Sequence, residues 1–345
     1  MRILLTADPE VPVPPKLYGG IERIVDGLAG ELRQRGHQVG LVAHHESQCA
    51  VDYFQPWPGR ASNRLADSFR NTVALFRAVR VFKPDLLHSF SRLGYLLPLL
   101  PAHLPKLMSY QRHVGSSRNR LAARLGGHRF VFTACSEFIA AQGRPWGGRW
   151  EVIPNFVDTD FYHFEASVTK DAPLVFLSRL ERIKGVHTAI AIAKRSGRRL
   201  IIAGNRVGAG KGVGYWEQEI APHLGRDGIE YIGPVDDGQK NKLLGRAAAM
   251  IVPIEWDEPF GIVFVESLAC GTPVISCPRG ALPEIVGGGE HGFLVCSAEE
   301  GVSAVRHLGE ISRAGCRQHA KDSFSQKVVV SHYETLYGEM VGAVP

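Results

Sequence analysis

Apolar residues recur along this chain with two different periods. A helical period appears first, within residues 21–32. Its members are Ile21, Ile24, Val25, Leu28 and Leu32. Positions i, i+3, i+4, i+7 and i+11 share one face of a helix, so this segment predicts an amphipathic helix. Gly36 is a typical helix end, and the apolar run at 38–43 then predicts a buried strand.

The alternation of strand-like and helix-like segments continues to the end of the chain. Further strand-like runs lie at 85–90, 106–111 and 130–136, and a second series follows at 174–180, 199–204, 229–234, 249–254 and 271–277. Strands that alternate with helical segments predict βαβ units and mainly parallel sheets. We therefore predict the α/β fold class, with two α/β halves.

The length of the chain also favours two domains, because single cores usually stop growing at about 250–300 residues and this chain has 345 residues. The irregular stretch 153–173 separates the two series of strands and is interpreted as the linker. We place the first domain at residues 1–164 and the second at 165–324. The last helical segment, within 325–345, is expected to pack back on the first domain.

The positive charge is concentrated in the first half. Residues 1–160 hold 20 Lys and Arg against 13 Asp and Glu, a balance of +7, so the remainder carries 6 − 7 = −1. Basic residues cluster at 70–83 and 111–129. Two interpretations stay open: a solvated face, or a patch facing an anionic membrane surface or a phosphorylated acceptor. Neither stretch has basic residues interleaved with stacking aromatics, so a nucleic-acid partner is not expected.

The sequence indicates a soluble, cytoplasmic protein. The apolar run at the N-terminus meets Asp8 and is too short for a signal peptide. No apolar run approaches the roughly 18 residues that a membrane span needs. The cysteines show no C-x-x-C spacing, which favours reduced thiols over disulfides or a zinc site. They are Cys49, Cys135, Cys270, Cys277, Cys296 and Cys316.

Two local motifs resemble ligand sites but do not fit them. The glycine-rich stretch 203–216 fails the P-loop pattern, because Asn205 replaces its first glycine and Gly212 follows the lysine. It is interpreted as a loop after a strand. Asp158 and Asp160 form an Asp-x-Asp triplet, but this triplet lies in the linker. We interpret it as a turn and expect no metal site.

A better phosphate site is spread over the second domain. Arg179 and Lys184 follow the strand at 174–178, and Gly185 opens the next helix. Ligands of open parallel sheets bind beyond the carboxyl ends of the strands. Two cations and a helix N-terminus at that edge would suit a diphosphate.

The segment EPFGIVFVESLACGTPVI, residues 258–275, supplies a second helix start. Gly261 lets the backbone approach a ligand closely. Glu258 precedes the helix, whereas Glu266 lies within it, roughly 6 to 7 Å along the axis. Each glutamate alone is also explained as an ordinary charged residue on a helix surface or near a helix start. Together with Arg179 and Lys184, the two carboxylates are predicted to contact opposite ends of one elongated ligand.

These stretches resemble the retaining glycosyltransferases of the large family four, also called glycosyl transferases group 1, which have the GT-B fold of two facing Rossmann-like domains. The resemblance covers most of the chain. It rests on YGGIERIVDGLAGELRQRGHQV, VIPNFVD, LSRLERIKGVHTAI, EPFGIVFVESLACGTPVI and GALPEIV. The glutamate motif is the most specific of these, and the pair Gly19 and Gly20 is weak alone.

The resemblance implies roles for individual residues. Arg179 and Lys184 would bind the donor diphosphate, Glu266 the ribose hydroxyls and Glu258 the transferred sugar. Gly20 would close on the phosphate from the first domain. The backbone that would cradle the donor belongs to Phe260, Gly261 and Ile262. The donor would be a nucleotide diphosphate sugar of the UDP or GDP type, and no metal or separate cofactor would be required.

Two positions depart from the family pattern. His113 matches a histidine near the reacting sugar, but its neighbours differ, so an active-site role and a structural role both stay open. Phe156 stands where the family usually has glycine, which questions the turn geometry there.

The sequence therefore predicts a retaining glycosyltransferase whose acceptor, a sugar, a lipid-linked molecule or a small molecule, is unidentified. It would be cytoplasmic or peripheral to the inner face of the membrane. Two alternatives are a nucleotide-sugar 2-epimerase of GT-B shape and a non-catalytic sugar-nucleotide sensor. An epimerase would turn over donor without acceptor, and donor hydrolysis would exclude a sensor.

Overall fold

The structure is a computed structural model that describes residues 1–15, 19–61, 64–115, 117–206 and 214–342. The chain forms two compact units, Met1–Asn155 with Gln326–Pro345, and Phe156–Ser325. Each unit is built around its own parallel sheet. The predicted α/β class is confirmed.

The first unit contains seven strands in its described residues: β1 Arg2–Thr6, β2 Gln38–Ala43, β3 Tyr53–Pro56, β4 Leu86–Ser89, β5 Lys106–Tyr110, β6 Phe130–Ala134 and β7 Arg149–Val152. Its first five helices are α1 Gly20–Gln34, α2 Leu65–Phe82, α3 Leu93–Leu96, α4 Ser117–Gly126 and α5 Glu137–Gly143. The strand order is β3-β2-β1-β4-β5-β6-β7, with parallel pairing throughout.

The second unit has six strands in its described residues: β8 Leu174–Leu177, β9 Leu200–Ala203, β10 Ile229–Gly233, β11 Ala249–Val252, β12 Val274–Ser276 and β13 Gly292–Leu294. Its helices are α6 Val186–Ser196, α7 Asp237–Gly245, α8 Ile262–Ala269, α9 Leu282–Val286, α10 Ala298–Arg306 and α11 Arg313–Phe324. The order is β10-β9-β8-β11-β12-β13, again parallel. Helix α12, Gln326–Gly342, is the last helix of the described residues and belongs to the first unit.

The central strands β8 and β11 of the second sheet are apolar throughout, because helices cover both faces of a parallel sheet. In β8 and β11 every residue is buried. The chain leaves β8 toward β9 on one side and returns to β11 on the other. This reversal is the topological switch point of the second sheet, where ligands of such sheets usually bind.

The boundary between the units lies after Asn155, earlier than the predicted position after residue 164. The linker residues belong to the second unit because they bond to its last helix. Val157 forms a parallel bridge with Ser325, and Arg317 donates to the carbonyls of Thr159 and Tyr162 at 2.7 and 2.9 Å. An irregular stretch therefore carries ordered contacts that hydrophobic periodicity does not reveal.

Helix α12 docks on the first unit through a buried polar network. His88, which is fully buried in β4, bonds through Nδ1 to the Tyr337 hydroxyl and through Nε2 to Ser109 Oγ, both at 2.6 Å. Burial lowers the pKa of His88 well below its ordinary value. At the surface, Glu334 of α12 accepts from Arg35 at 2.5 Å and pairs with His37 at 2.7 Å.

This network predicts acid sensitivity of the first unit. His88 is neutral when folded, whereas the unfolded chain protonates it below about pH 6.5, so stability falls as the pH drops from there toward the folded-state pKa. The slope for one such group is about 1.4 kcal/mol per pH unit. We expect the thermal unfolding midpoints of wild type and His88→Gln to converge between pH 7.5 and 5.5. Parallel pH profiles would contradict the assignment.

Candidate functional site

Polar and charged side chains gather at the carboxyl edge of the second sheet. Arg179 and Lys184 follow β8, and Glu258 follows β11, the strand beside it. The loops after these two strands are bonded to each other, because the Glu255 amide donates to the Ile183 carbonyl at 2.8 Å. The predicted cationic site and the start of the glutamate motif thus meet at the switch point.

Lys184 and Glu258 form the centre of this edge. Lys184 Nζ donates to Glu258 Oε2 at 2.7 Å, and both side chains are largely buried, with 10% and 13% exposed. Trp256 Nε1 donates to the same oxygen at 3.1 Å, and the ammonium lies 4.6 Å from the centroid of the Trp256 ring. Because an ammonium has three N–H donors, one salt bridge leaves donor capacity for a ligand. The lysine is therefore held in place before a ligand arrives.

Helix α8 begins beside this pair. Gly261 is its N-cap and has φ +93°, a conformation that L-residues rarely adopt. An added Cβ would lie 2.5 Å from the Phe264 ring, so the turn has no room for a side chain. The Phe260 side chain is buried, with its ring 5.8 Å from that of Phe324. Phe260 and Gly261 thus offer only their backbone to the predicted donor cradle, and Ile262, the first residue of α8, is partly exposed beside them.

Arg179 and the helix start at Gly185 are arranged differently from Lys184 and the start of α8. Gly185 has φ +75°, and an added Cβ would lie 1.9 Å from the Pro253 carbonyl oxygen. This close approach holds the loops after β8 and β11 together. Arg179 is about half exposed, and its guanidinium pairs with Glu181 at 2.9 Å. Arg179 therefore lies at the rim of the edge, whereas Lys184 lies inside it.

Glu266 is held in a second, separate ion pair. It is buried in α8, and its Oε1 accepts from Lys240 Nζ at 2.5 Å and from the Tyr162 hydroxyl at 2.7 Å. Lys240 also pairs with Asp237 at 3.2 Å. Burial, followed by the Glu266 carboxylate, raises the pKa of the Tyr162 hydroxyl, which therefore donates. Both of these contacts use Oε1, so Oε2 can accept from a ligand.

The predicted residues of the first unit lie at the carboxyl edge of its own sheet. Gly19 is buried directly before α1, and Gly20 is the first residue of that helix. His113 follows β5 and is exposed, with Nδ1 3.3 Å from Gln142 Oε1.

An acidic group at this edge was not predicted. Asp8, which follows β1, is buried and pairs with Arg112 at 2.7 Å and with Arg92 at 3.4 Å. Burial raises the pKa of Asp8 despite these two cations. It also raises the pKa of Glu22, which is buried in the first turn of α1. Asp8 directly follows the first apolar run, which was the available signal.

Several other sequence motifs have plain structural roles. Asp158 Oδ1 accepts from the amides of Asp160 and Phe161 at 2.9 and 3.2 Å, which makes the Asp-x-Asp triplet a turn. Phe156 is buried and is not among the described non-glycine residues with positive φ, so glycine is not required there. No disulfide joins any of the six cysteines, all of which lie within the described residues. Residues 207–213 of the glycine-rich stretch lie outside the described residues.

Among the described residues, no His, Cys, Asp and Glu side chains form a group suited to a metal ion. Within the same residues, no helix has the length and apolar character needed to cross a membrane.

Three side chains of the second-unit site, Trp256, Tyr162 and Lys240, were not predicted from the sequence. Trp256 lies two positions before Glu258, and that proximity was the available signal. Tyr162 and Lys240 contact Glu266 from 104 and 26 positions away. The turn at Gly280 bonds to the backbone of Glu258 through the Ala281 amide, which donates to the Glu258 carbonyl at 2.9 Å. No local pattern connects Tyr162, Lys240 or the turn at Gly280 to the glutamates.

Two family models match the chain in succession. The model "Glycosyltransferase Family 4" matches residues 18–161, and the model "Glycosyl transferases group 1" matches residues 158–312. The first match falls mainly in the first unit and the second falls in the second unit.

Individual relatives agree with these models. A glycogen synthase of Mycobacterium tuberculosis is 34% identical over 148 residues, 41% of this chain. A D-inositol 3-phosphate glycosyltransferase of Mycobacterium bovis is 31% identical over 180 residues, 48% of this chain. These alignments span only 34% and 38% of the two relatives' own lengths.

The fold as a whole matches solved structures. HepE from Anabaena, solved with UDP and glucose, matches with a TM-score of 0.73 and 20% identity, over 98% of this chain and 100% of the other. The GT-B class predicted from the sequence is confirmed by such neighbours.

Proposed function

We propose that this chain, which belongs to family 4 of the glycosyltransferases, transfers a sugar from a nucleoside diphosphate sugar to an acceptor hydroxyl. The donor is of the UDP or GDP type, and the transfer retains the anomeric configuration of the sugar. Membership of the family alone does not carry this proposal. It is carried by the position of Lys184 against Glu258 and Trp256 at the switch point of the second sheet.

The diphosphate is assigned to Lys184, with Arg179 at the rim. Lys184 is held by a carboxylate and an indole ring, so little side-chain freedom is lost when its remaining N–H groups meet phosphate oxygens. The first amides of α8 lack helical partners and can donate to the same anion. Negative charge grows on the leaving diphosphate during transfer, and preorganised donors stabilise that charge.

The two glutamates are assigned to different parts of the donor. Glu258 adjoins the diphosphate cation, and we place the transferred sugar there. Glu266 is fixed by Lys240 and Tyr162, and its Oε2 would accept from ribose hydroxyls. This assignment needs no divalent metal, because fixed cations and helix amides supply the positive potential.

The acceptor is assigned to the carboxyl edge of the first sheet. His113 and Asp8 lie in loops at that edge, after β5 and β1. HepE, of the same fold, is solved with UDP and glucose, which supports a sugar nucleotide as the donor class. The acceptor itself is left to experiment.

Donor identification is the direct test. Thermal shift with UDP, GDP and ADP should show one nucleotide that stabilises the protein by about 2.7 kcal/mol at 100 times its dissociation constant. The corresponding sugar nucleotides, incubated with a panel of sugar, lipid-linked and small-molecule acceptors, should then give a product whose anomeric configuration, read by NMR, matches the donor.

The same assay excludes the alternatives. Transfer should persist in EDTA, and activity that depends on added Mg²⁺ or Mn²⁺ would contradict the metal-independent assignment. Conversion of the donor to its 2-epimer without acceptor would identify an epimerase. Nucleotide binding without hydrolysis or transfer would identify a sensor, and inversion of configuration would refute the retaining mechanism.

A further inference from the structure

Helix α2 of the first unit carries a stripe of large apolar side chains on its exposed face. Leu65 is 90% exposed, Phe69 72%, Val73 53% and Phe76 37%. The spacing i, i+4, i+8 and i+11 aligns them along the helix. The opposite face is buried in the unit. An uncovered line of side chains of this size marks a contact surface.

Arginines flank the apolar stripe. Arg70, Arg77 and Arg80 are exposed on α2, and Lys83 follows at its C-cap. The only acidic residue in the helix sequence is Asp67, which is 14% exposed and pairs with Arg70 at 3.7 Å. The exposed face of α2 thus combines apolar area with positive charge.

Helix α4 presents a similar surface on the same side of the sheet. Helix α2 connects β3 to β4, and α4 connects β5 to β6, so both crossovers run in the same direction along the strand order. Because such crossovers are right-handed, both helices cover one face of the sheet. Leu121 and Leu125 of α4 are 50% and 43% exposed, and three exposed arginines accompany them. These are Arg118, Arg120 and Arg124.

We propose that this basic apolar face, formed by α2 and α4, docks on the surface of an anionic phospholipid bilayer. The apolar stripe of α2 would lie at the boundary of headgroups and acyl chains, and the arginines would contact lipid phosphates. Charge complementarity favours this partner over a second copy of the chain, because a symmetric contact would bring the same arginines together. The proposal corresponds to the membrane interpretation of the basic stretches at 70–83 and 111–129.

Vesicle co-sedimentation of the full chain tests the proposal. We expect binding to vesicles of phosphatidylcholine with phosphatidylglycerol, weakened by salt, and much weaker binding to phosphatidylcholine alone. Arg77→Gln with Arg80→Gln should lower the partition coefficient about 25-fold, roughly five-fold per charge. Phe69→Ser should lower it on the order of ten-fold, because it removes apolar area from the lipid contact.

Matched controls separate docking from misfolding. Ile232→Ser changes an apolar residue of the second unit that is 42% exposed and should bind vesicles as wild type does. The thermal midpoint of every α2 variant should stay near that of wild type, because the substituted side chains lie on the exposed face. Equal binding to both vesicle types, or unchanged binding of the α2 variants, would overturn the proposal. Self-association in sedimentation velocity that Phe69→Ser abolishes would assign the face to a second copy and equally overturn it.

Discussion

Lys184→Met should lower kcat/KM for sugar transfer by about 10²- to 10³-fold, the usual cost of losing one preorganised donor to the developing charge. Methionine keeps an unbranched chain of similar length but removes the ammonium that Glu258 and the Trp256 ring hold in place. The loss should appear in kcat as well as in nucleotide affinity, because the diphosphate gains charge in the transition state.

The same substitution leaves Glu258 without its cation, which costs stability as well as activity. Removing one partner of a largely buried polar pair typically costs about 1–3 kcal/mol. The double variant Lys184→Met with Glu258→Gln should recover much of this stability without recovering transfer. Lys194→Met, at an exposed lysine of α6 paired with Asp227, is the matched control and should behave like wild type. Recovery of transfer by the double variant would show that Lys184 acts only through folding.

The strands of the fold were predictable because burial on both faces of a parallel sheet leaves continuous apolar runs. The run at 130–136 contains β6, Phe130–Ala134, and the run at 249–254 contains β11, Ala249–Val252. Short edge strands were harder to recognise. In β7 only Trp150 is fully buried, and the exposed Arg149 and half-buried Glu151 beside it hide the strand pattern.

The convergence of Lys184 and Glu258 followed from topology, because adjacent parallel strands end at one edge of a sheet. The partners of Glu266 did not follow, since Lys240 and Tyr162 come from another helix and from the linker. Side-chain pairing between distant segments depends on packing angles that local patterns do not encode. The same reason explains the misplaced domain boundary, which depends on the contacts of residues 156–164.

Glu266 has a structural role besides its proposed contact with ribose. A test of ribose binding must separate these two roles. Its carboxylate neutralises Lys240 and accepts from Tyr162 in a buried setting. Lys240→Met and Tyr162→Phe therefore serve as matched controls, because each removes one of these internal contacts and leaves the Glu266 carboxylate in place. Both are expected to lower stability by about 1–3 kcal/mol and to change nucleotide affinity far less than Glu266→Ala does.

Glu266→Ala should weaken binding of the free nucleoside diphosphate about 10- to 150-fold, because it removes charged hydrogen bonds to ribose worth roughly 1.5–3 kcal/mol. Glu258→Ala should weaken that binding far less than Glu266→Ala, because it removes only the positioning of Lys184, and it should lower the transfer rate, since its expected partner is the sugar being moved. Calorimetry with the nucleotide, beside initial rates with the full donor, separates the two. If both variants bind nucleotide alike, or if folded Glu266→Ala binds it as wild type does, the two carboxylates do not contact opposite ends of one ligand, and Glu266 is left with the structural duty of holding Lys240 and Tyr162.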